Sequence, residues 1–244
     1  MINHRWCILG APRTGSTRLE VSIFDALPTL PKGRRVRLSE YFSFEYAMFH
    51  DTQEHIFQYL PYDDPVRINL RNKVEDLIIN RPEYSFVLRI FFQDWMNEKI
   101  DYQSFITKLQ NNNFKFIKLE GRSQFDRTIS WAMARSTGIW HRKSVFGQSE
   151  HIVRGDVSFI SPDNKLNIDP VWFESLLKDT KLYDSYLEKY ASQLDHCVVN
   201  YDTMAEDCVA HGIPFNDNTF FIKTYDNNYS ELIENYQELF ELCK

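Results

Sequence analysis

The stretch Trp6-Cys7-Ile8-Leu9-Gly10-Ala11-Pro12-Arg13-Thr14-Gly15-Ser16-Thr17 decides the fold. Trp6 to Leu9 is a short apolar run of strand type. Gly10 to Gly15 read as a loop. Ser16 to Leu27 read as a helix, with Leu19, Ile23 and Leu27 spaced four apart on one face. A loop between a strand and a helix turns backbone N–H groups outward at the positive end of the helix dipole, so it makes a cradle for an anion. Gly15 allows the backbone to approach a ligand closely. Ser16 and Thr17 add hydroxyl donors, and Arg13 adds a cation. Glycine is scarce, 8 in 244 residues, so two in one short loop carry information. The alternative is a plain strand–turn–helix with polar residues on its surface.

Working outward, Pro28 to Arg37 form a breaker-rich, basic connection. Tyr41 to Leu60 read as largely helical, and Pro65 to Asn80 as a helix with Pro65 in its first turn. Phe86 to Phe92 are a strand-length apolar run. A helix over Tyr102 to Leu109 ends at Asn111-Asn112-Asn113, and Phe114 to Leu119 are a strand. Ser123 to Thr137 form a helix that stops at Gly138. His141 to Lys165 read as loop-rich. Asp169-Pro170 starts a long helix to about Leu194, and Cys197 to Tyr201 are a strand. A short helix ends near Gly212, and Asn228 to Cys243 form a C-terminal helix. Strands alternating with helices predict βαβ units, and hence one α/β domain over residues 1–244, three-layered around a central parallel sheet. In such sheets the loops at the carboxyl ends of the strands carry the site.

The loop nearly fits the Walker pattern G-x-x-x-x-G-K-[ST], but Ser16 stands in the lysine position. That lysine contacts the β- and γ-phosphates of a nucleoside triphosphate, so its absence argues against a P-loop kinase or NTPase. Pro12-Arg13-Thr14-Gly15-Ser16-Thr17 resembles the 5′-phosphosulfate loop of sulfotransferases that use 3′-phosphoadenosine 5′-phosphosulfate (PAPS), P-[KR]-[ST]-G-[ST]-T, at every place. The resemblance implies a P-loop-type α/β/α fold. It also implies PAPS as co-substrate and PAP as product. Arg13 then takes the catalytic cation position, and Pro12 to Thr17 cradle the 5′ end.

The same family binds the 3′-phosphate with an arginine just after a strand and a serine eight residues on. Arg122 and Ser130 have that placement and spacing. An arginine fork can bind a phosphate through two charge-assisted hydrogen bonds, and a serine can donate a third. The alternatives are a surface arginine and a helix serine bonded to its own backbone. Arg127-Thr128-Ile129-Ser130-Trp131-Ala132 and Thr137-Gly138-Ile139-Trp140-His141 are similar to the trehalose-sulfotransferase branch. Thr128, Ala132 and Ser136 depart from that branch's pattern. The matching blocks cover roughly a quarter of the chain, so the resemblance implies no particular acceptor beyond a hydroxyl on a sugar, glycolipid or small metabolite.

Glu40, in Leu38-Ser39-Glu40-Tyr41-Phe42, matches a glutamate that in this branch is the proposed general base, although Leu38 replaces the branch's proline. Its alternative is a solvated carboxylate or a partner for Arg34, Arg35 or Arg37. His141 and His4 are further candidates for the base, and Trp140 and His141 can equally be packing at a helix exit. Arg89 interrupts an apolar strand. A buried charge is costly unless paired, so Arg89 is either a donor to the sulfuryl group or acceptor, or half of a buried ion pair. Lys223 is a candidate for the 3′-phosphate.

The composition, 43% hydrophobic and 25% charged, is that of an ordinary globular protein. A net charge of −6 argues against a nucleic-acid binder. Cys7, Cys197, Cys208 and Cys243 show no metal-ligand spacing and are expected to be reduced. No metal is expected. With neither a signal pattern nor an apolar run of membrane-spanning length, a cytoplasmic location is expected. A homodimer stays open, as does a non-catalytic PAP- or PAPS-binding role.

Overall fold

In chain order the elements are β1 (Arg5–Gly10), α1 (Ser16–Ala26), β2 (Arg35–Glu40), β3 (Ala47–Phe49), β4 (Glu54–Ile56), α2 (Pro65–Asn80), β5 (Ser85–Phe91), α3 (Tyr102–Asn111), β6 (Lys115–Glu120), α4 (Gln124–Thr137), β7 (Ile139–Val145), β8 (Gln148–Val153), α5 (Pro170–Ala191), β9 (His196–Asn200), α6 (Met204–Ala210), β10 (Phe221–Ile222), α7 (Tyr229–Leu232) and α8 (Tyr236–Glu241). They come from a computed structural model, which describes residues 4–28, 35–40, 47–49, 54–56, 65–91, 101–145, 148–153, 160–216, 221–222 and 229–244. Of these, 38–40, 47–49, 54–56, 66–67, 70–71, 91, 140–145, 148–153 and 221–222 are described as backbone alone.

Five strands form one all-parallel sheet in the order β2-β5-β1-β6-β9. Side chains alternate across it, as strand geometry requires. Cys7 and Leu9 join Phe86, Leu88 and Ile90 on one face, where Val74 and Ile78 of α2, Phe105, Ile106 and Leu109 of α3, and Leu187 of α5 cover them. Trp6 and Ile8 join Val87, Ile117 and Leu119 on the other, under Leu19 and Ile23 of α1 and Met204 and Cys208 of α6. With both faces buried, the strands read as continuous apolar runs rather than alternating ones, as parallel sheets do.

The helix ends obey local chemistry. Asp101 accepts from Ser104 N at α3, Ser123 from Asp126 N at α4, and Asp169 from Val171 N at α5. Gly138 ends α4 at φ 70°, the left-handed region that favours glycine.

Four expectations are corrected. Arg35 to Arg37, expected to end the connection from Pro28, instead open a strand, β2. Among the side chains described there, Val36 faces the core, and Arg35 and Arg37 lie over the Phe24 ring at 5.0 and 5.9 Å, so charge disguises the pattern of an edge strand. Within the stretch 41–60, expected to be helical, the described residues form the antiparallel pair β3–β4. The stretch from His141, expected to be loops, holds most of the β7–β8 hairpin, to which β10 adds. The C-terminal helix is two helices. Leu166 N bonds Leu232 O and Glu234 N bonds Leu166 O, and this pairing takes backbone groups away from a continuous helix between α7 and α8. Asn235 reinforces the break through both polar groups of the Ile168 backbone.

The topology marks one place for a ligand. From β1 the chain passes through α1 to β2 on one side of the sheet, and after β6 it reaches β9 on the other. The connections leaving adjacent β1 and β6 therefore diverge. The crevice outside their carboxyl ends is the usual binding position in open α/β sheets.

Candidate active site

Both sequence motifs open onto that crevice. The first loop leaves β1 at Gly10 and enters α1 at Gly15, whose φ of 87° suits glycine. A Cβ at Gly15 would overlap the Tyr201 ring, so glycine is also required sterically. The Thr14 hydroxyl donates to Ala11 O at 2.8 Å and closes the loop on itself. The Thr14 side chain is therefore engaged in the turn. No side chain caps α1, and its first turn holds no acidic residue, so nothing there opposes an anion.

Arg13 has a φ of 64°, the left-handed region that non-glycine residues seldom occupy. Its guanidinium turns toward α4, where Nε and a terminal nitrogen donate to Ser130 Oγ at 3.0 and 2.9 Å. Arg122 follows β6 across Gly121, which has a φ of 106° and where a Cβ would overlap the Asn200 side chain. One Arg122 nitrogen donates to Arg13 O at 3.0 Å and another to Tyr229 Oη at 3.0 Å. The guanidinium lies over the Tyr201 ring at 5.3 Å. Arg13, Arg122 and Ser130 thus belong to one connected cluster, although about 110 residues separate its two halves. Burial raises the Tyr201 phenol above its ordinary pKa, and the Arg122 and Arg18 charges partly offset this.

Arg89 sits on β5, level with Ile8 of β1. It is buried and points toward α1. Its Nε lies 3.0 Å from Glu20 Oε2, both side chains being almost fully enclosed at 4% and 1% exposure. One terminal nitrogen donates to Thr17 Oγ1 at 2.6 Å and to Ser16 Oγ at 3.3 Å. Arg89 therefore has its carboxylate partner and also touches the start of α1 just after the loop.

The backbone of Glu40 ends β2 in register with Arg89, on the carboxyl-end side of the sheet. Two strand spacings put it about 10 Å from β1. His141 lies in β7, its backbone paired with Ile152. The side chains of Glu40, Trp140 and His141, and the whole of Lys223, lie outside the described residues. His4 is at the other end of the sheet: its carbonyl accepts from Phe86 N before β1 begins, roughly 20 Å along the strand from the loop.

Sequence reasoning missed Glu20, Tyr201 and Tyr229. Tyr201 immediately follows β9, so the rule that sites gather at strand ends would have flagged it. Glu20 sits on the first turns of α1, where a carboxylate facing the core needs a basic partner, and Arg89 was the visible candidate. Tyr229 carries no comparable signal. Among the described residues no group of three His, Cys, Asp or Glu side chains gathers as a metal site. No helix among them is long and apolar enough to cross a membrane. No protein-family model matches this chain, and no curated protein matches it significantly. The residues themselves carry the functional reading.

Proposed function

We propose that this protein is a PAPS-dependent sulfotransferase built on a P-loop-type three-layer α/β/α domain, acting on a hydroxyl of a sugar, glycolipid or small metabolite. The observation that carries the reading is the direct joining of the two motifs. Arg122 bonds the Arg13 carbonyl, and Arg13 bonds Ser130, at the switch point between β1 and β6. A nucleotide with phosphates at both its 5′ and 3′ positions matches a donor set split between two adjacent loops. The set also fits in chemistry: Arg13, Arg122, Ser16, Thr17 and Ser130 all supply donors, and the neighbouring carboxylate, Glu20, is neutralised by Arg89.

In this reading the amides and hydroxyls of residues 13–17 hold the 5′ end, and Arg122 and Ser130 hold the 3′-phosphate. The acceptor oxygen forms its bond to sulfur as the bond from sulfur to the phosphate oxygen breaks. Arg13 stabilises the charge growing on the departing phosphate, and Glu40 takes the acceptor's proton. The protein contributes positioning and preorganised electrostatics. Arg89 supports the start of α1 just after the loop.

A thermal-shift comparison of PAP with ATP–Mg²⁺ tests the proposal, because a ligand that binds only the folded state stabilises it by mass action. PAP is expected to raise the Tm more than ATP–Mg²⁺ at equal concentration. A preference for ATP would replace this reading with that of a P-loop kinase or NTPase. Radiolabelled PAPS with a panel of hydroxyl acceptors then separates an enzyme from a PAP-binding relative without activity.

A further inference from the structure

Arg89 approaches Ser16 and Thr17 from inside the protein, and the direction of those two hydrogen bonds has chemical content. A guanidinium can only donate. At Ser16 Oγ and Thr17 Oγ1, Arg89 is therefore the donor and each hydroxyl oxygen the acceptor. A hydroxyl that accepts from one side keeps its single proton for another partner. Without Arg89, each hydroxyl on the first turn of a helix could turn its proton inward and present a lone pair outward, which repels an anion. Thr14 illustrates an inward bond: its proton goes to Ala11 O.

We infer that the Glu20–Arg89 pair is a positioning device that sets Ser16 and Thr17 as outward donors to the 5′-phosphate. Glu20, one turn further along α1, anchors Arg89 at 3.0 Å and supplies the countercharge that makes a buried guanidinium tolerable. The chain of polarity runs from carboxylate to guanidinium to hydroxyl to anion. Because β5 is paired with β1, the device also fixes the start of α1 relative to the strand that feeds the loop. The inference rests on the proposed nucleotide site, and it concerns the 5′ half of that site, since Arg122 and Ser130 bond to Arg13 and Tyr229.

Removing Arg89 alone would strand a buried carboxylate, so the main variant is the double substitution Glu20→Leu/Arg89→Met, which removes both charges together. Calorimetry is run on it with adenosine 5′-monophosphate, adenosine 3′-monophosphate, PAP and ATP–Mg²⁺. Affinity for the 5′-monophosphate is expected to fall on the order of 10–100-fold, the range for losing charge-supported hydrogen bonds. Affinity for the 3′-monophosphate is expected to stay within about twofold of wild type. Arg89→Lys, which keeps a cationic donor and the Glu20 partner, is expected to recover part of the loss. Adding Ser16→Ala/Thr17→Ala to the double variant is expected to cost little more, because the hydroxyls act through Arg89.

Equal losses for both monophosphates would mean a merely structural pair and would overturn the inference, as would an unchanged 5′-monophosphate affinity. The proposed function fails separately, if the wild-type protein prefers ATP–Mg²⁺ to PAP. In that case a selective 5′-phosphate loss in the double variant would still uphold the device.

Discussion

The Arg13 side chain reaches across 117 positions of sequence to Ser130, donating to its hydroxyl from two nitrogens at 3.0 and 2.9 Å. Both N–H groups converge on the Ser130 oxygen, which accepts from each. A hydroxyl that accepts in this way keeps its own proton for another partner. Holding Arg13 at φ 64° costs about 1–3 kcal/mol for a residue with a Cβ. The Arg122 bond to the Arg13 carbonyl and the Ser130 contact offset that cost.

Arg122→Ala is expected to weaken PAP binding by about one to two decades in Kd, the range for a charged hydrogen bond lost. Ser130→Ala acts in the same direction and less strongly, because it removes a neutral donor. Titration calorimetry reads both, with circular dichroism confirming the fold. Unchanged affinity in Arg122→Ala would remove the 3′-phosphate role.

Gly15→Ala is expected to destabilise the protein by about 1–3 kcal/mol from its left-handed backbone alone, with the clash against the Tyr201 ring added. Urea unfolding measures it. Tyr201→Leu introduced into Gly15→Ala relieves the clash and leaves the backbone cost, so it is expected to restore part of the stability. Full stability of Gly15→Ala would mean that the loop adopts another path.

The helices α2 and α4 and the strands β1, β5, β6 and β9 were legible because apolar runs and caps are local: Ser123, Gly138 and Pro65 announce their elements without help from the rest of the chain. Strand β2 was not, since its Val36 faces the core between two arginines whose partner, Phe24, belongs to another element. The break between α7 and α8 depends on Leu166, more than sixty residues earlier, and no periodicity reports it. At the site, Arg13, Arg122 and Ser130 were visible as types and spacings. That they touch one another was not, because it depends on β1 lying beside β6. Glu20 was hidden for the same reason: a glutamate on a helix reads as solvated until the strand opposite supplies its arginine.

Arg5 holds together the end of the sheet away from the site. It donates to Ile78 O at 3.0 Å, Asn112 O at 3.1 Å and Arg81 O at 2.8 Å, and lies over Phe86 and Phe114. These carbonyls end α2 and α3, where a cation is also favoured by the helix dipole. Burial lowers its pKa from the ordinary arginine value, and the Glu83 carboxylate partly offsets this. Arg5→Met is expected to cost about 2–4 kcal/mol, the range for breaking a buried hydrogen-bonded charge, with PAP affinity unchanged. Chemical denaturation and calorimetry together check the separation.

The thiols are expected to report the core. Burial raises the Cys208 pKa to about 12 and raises that of Cys7 well above the ordinary value. Reactive thiolate is therefore scarce at both near pH 8, and Ellman's reagent should modify the partly exposed Cys197 and Cys243 first. The sign of the linkage follows. A thiol whose folded pKa lies above its unfolded value contributes stability fully below about pH 9, and that stability is lost as pH rises through about 12. Cys208→Ala should flatten the loss of stability in that window. A rapid reaction of Cys208 in the native protein would contradict the packing under α6.

The remaining prediction separates binding from chemistry. Arg13→Ala should lower turnover far more than it weakens PAP affinity. Under the proposed mechanism its cation acts where charge grows on the departing phosphate, and an interaction that strengthens in the transition state appears in kcat. Losing one such donor typically costs on the order of 10²–10³ in rate. The ground state keeps the loop amides, the Arg89-oriented hydroxyls of Ser16 and Thr17, and Arg122. Glu40→Gln should also lower turnover without loosening PAP, since its backbone lies two strands from the anion loop. Labelled-PAPS kinetics and calorimetry on the same two variants decide the matter. If affinity and rate fall together in Arg13→Ala, Arg13 is a uniform binder and its latch on Ser130 serves the nucleotide alone. If Glu40→Gln keeps full activity, the base lies elsewhere, and His141 on β7 is the next residue to replace.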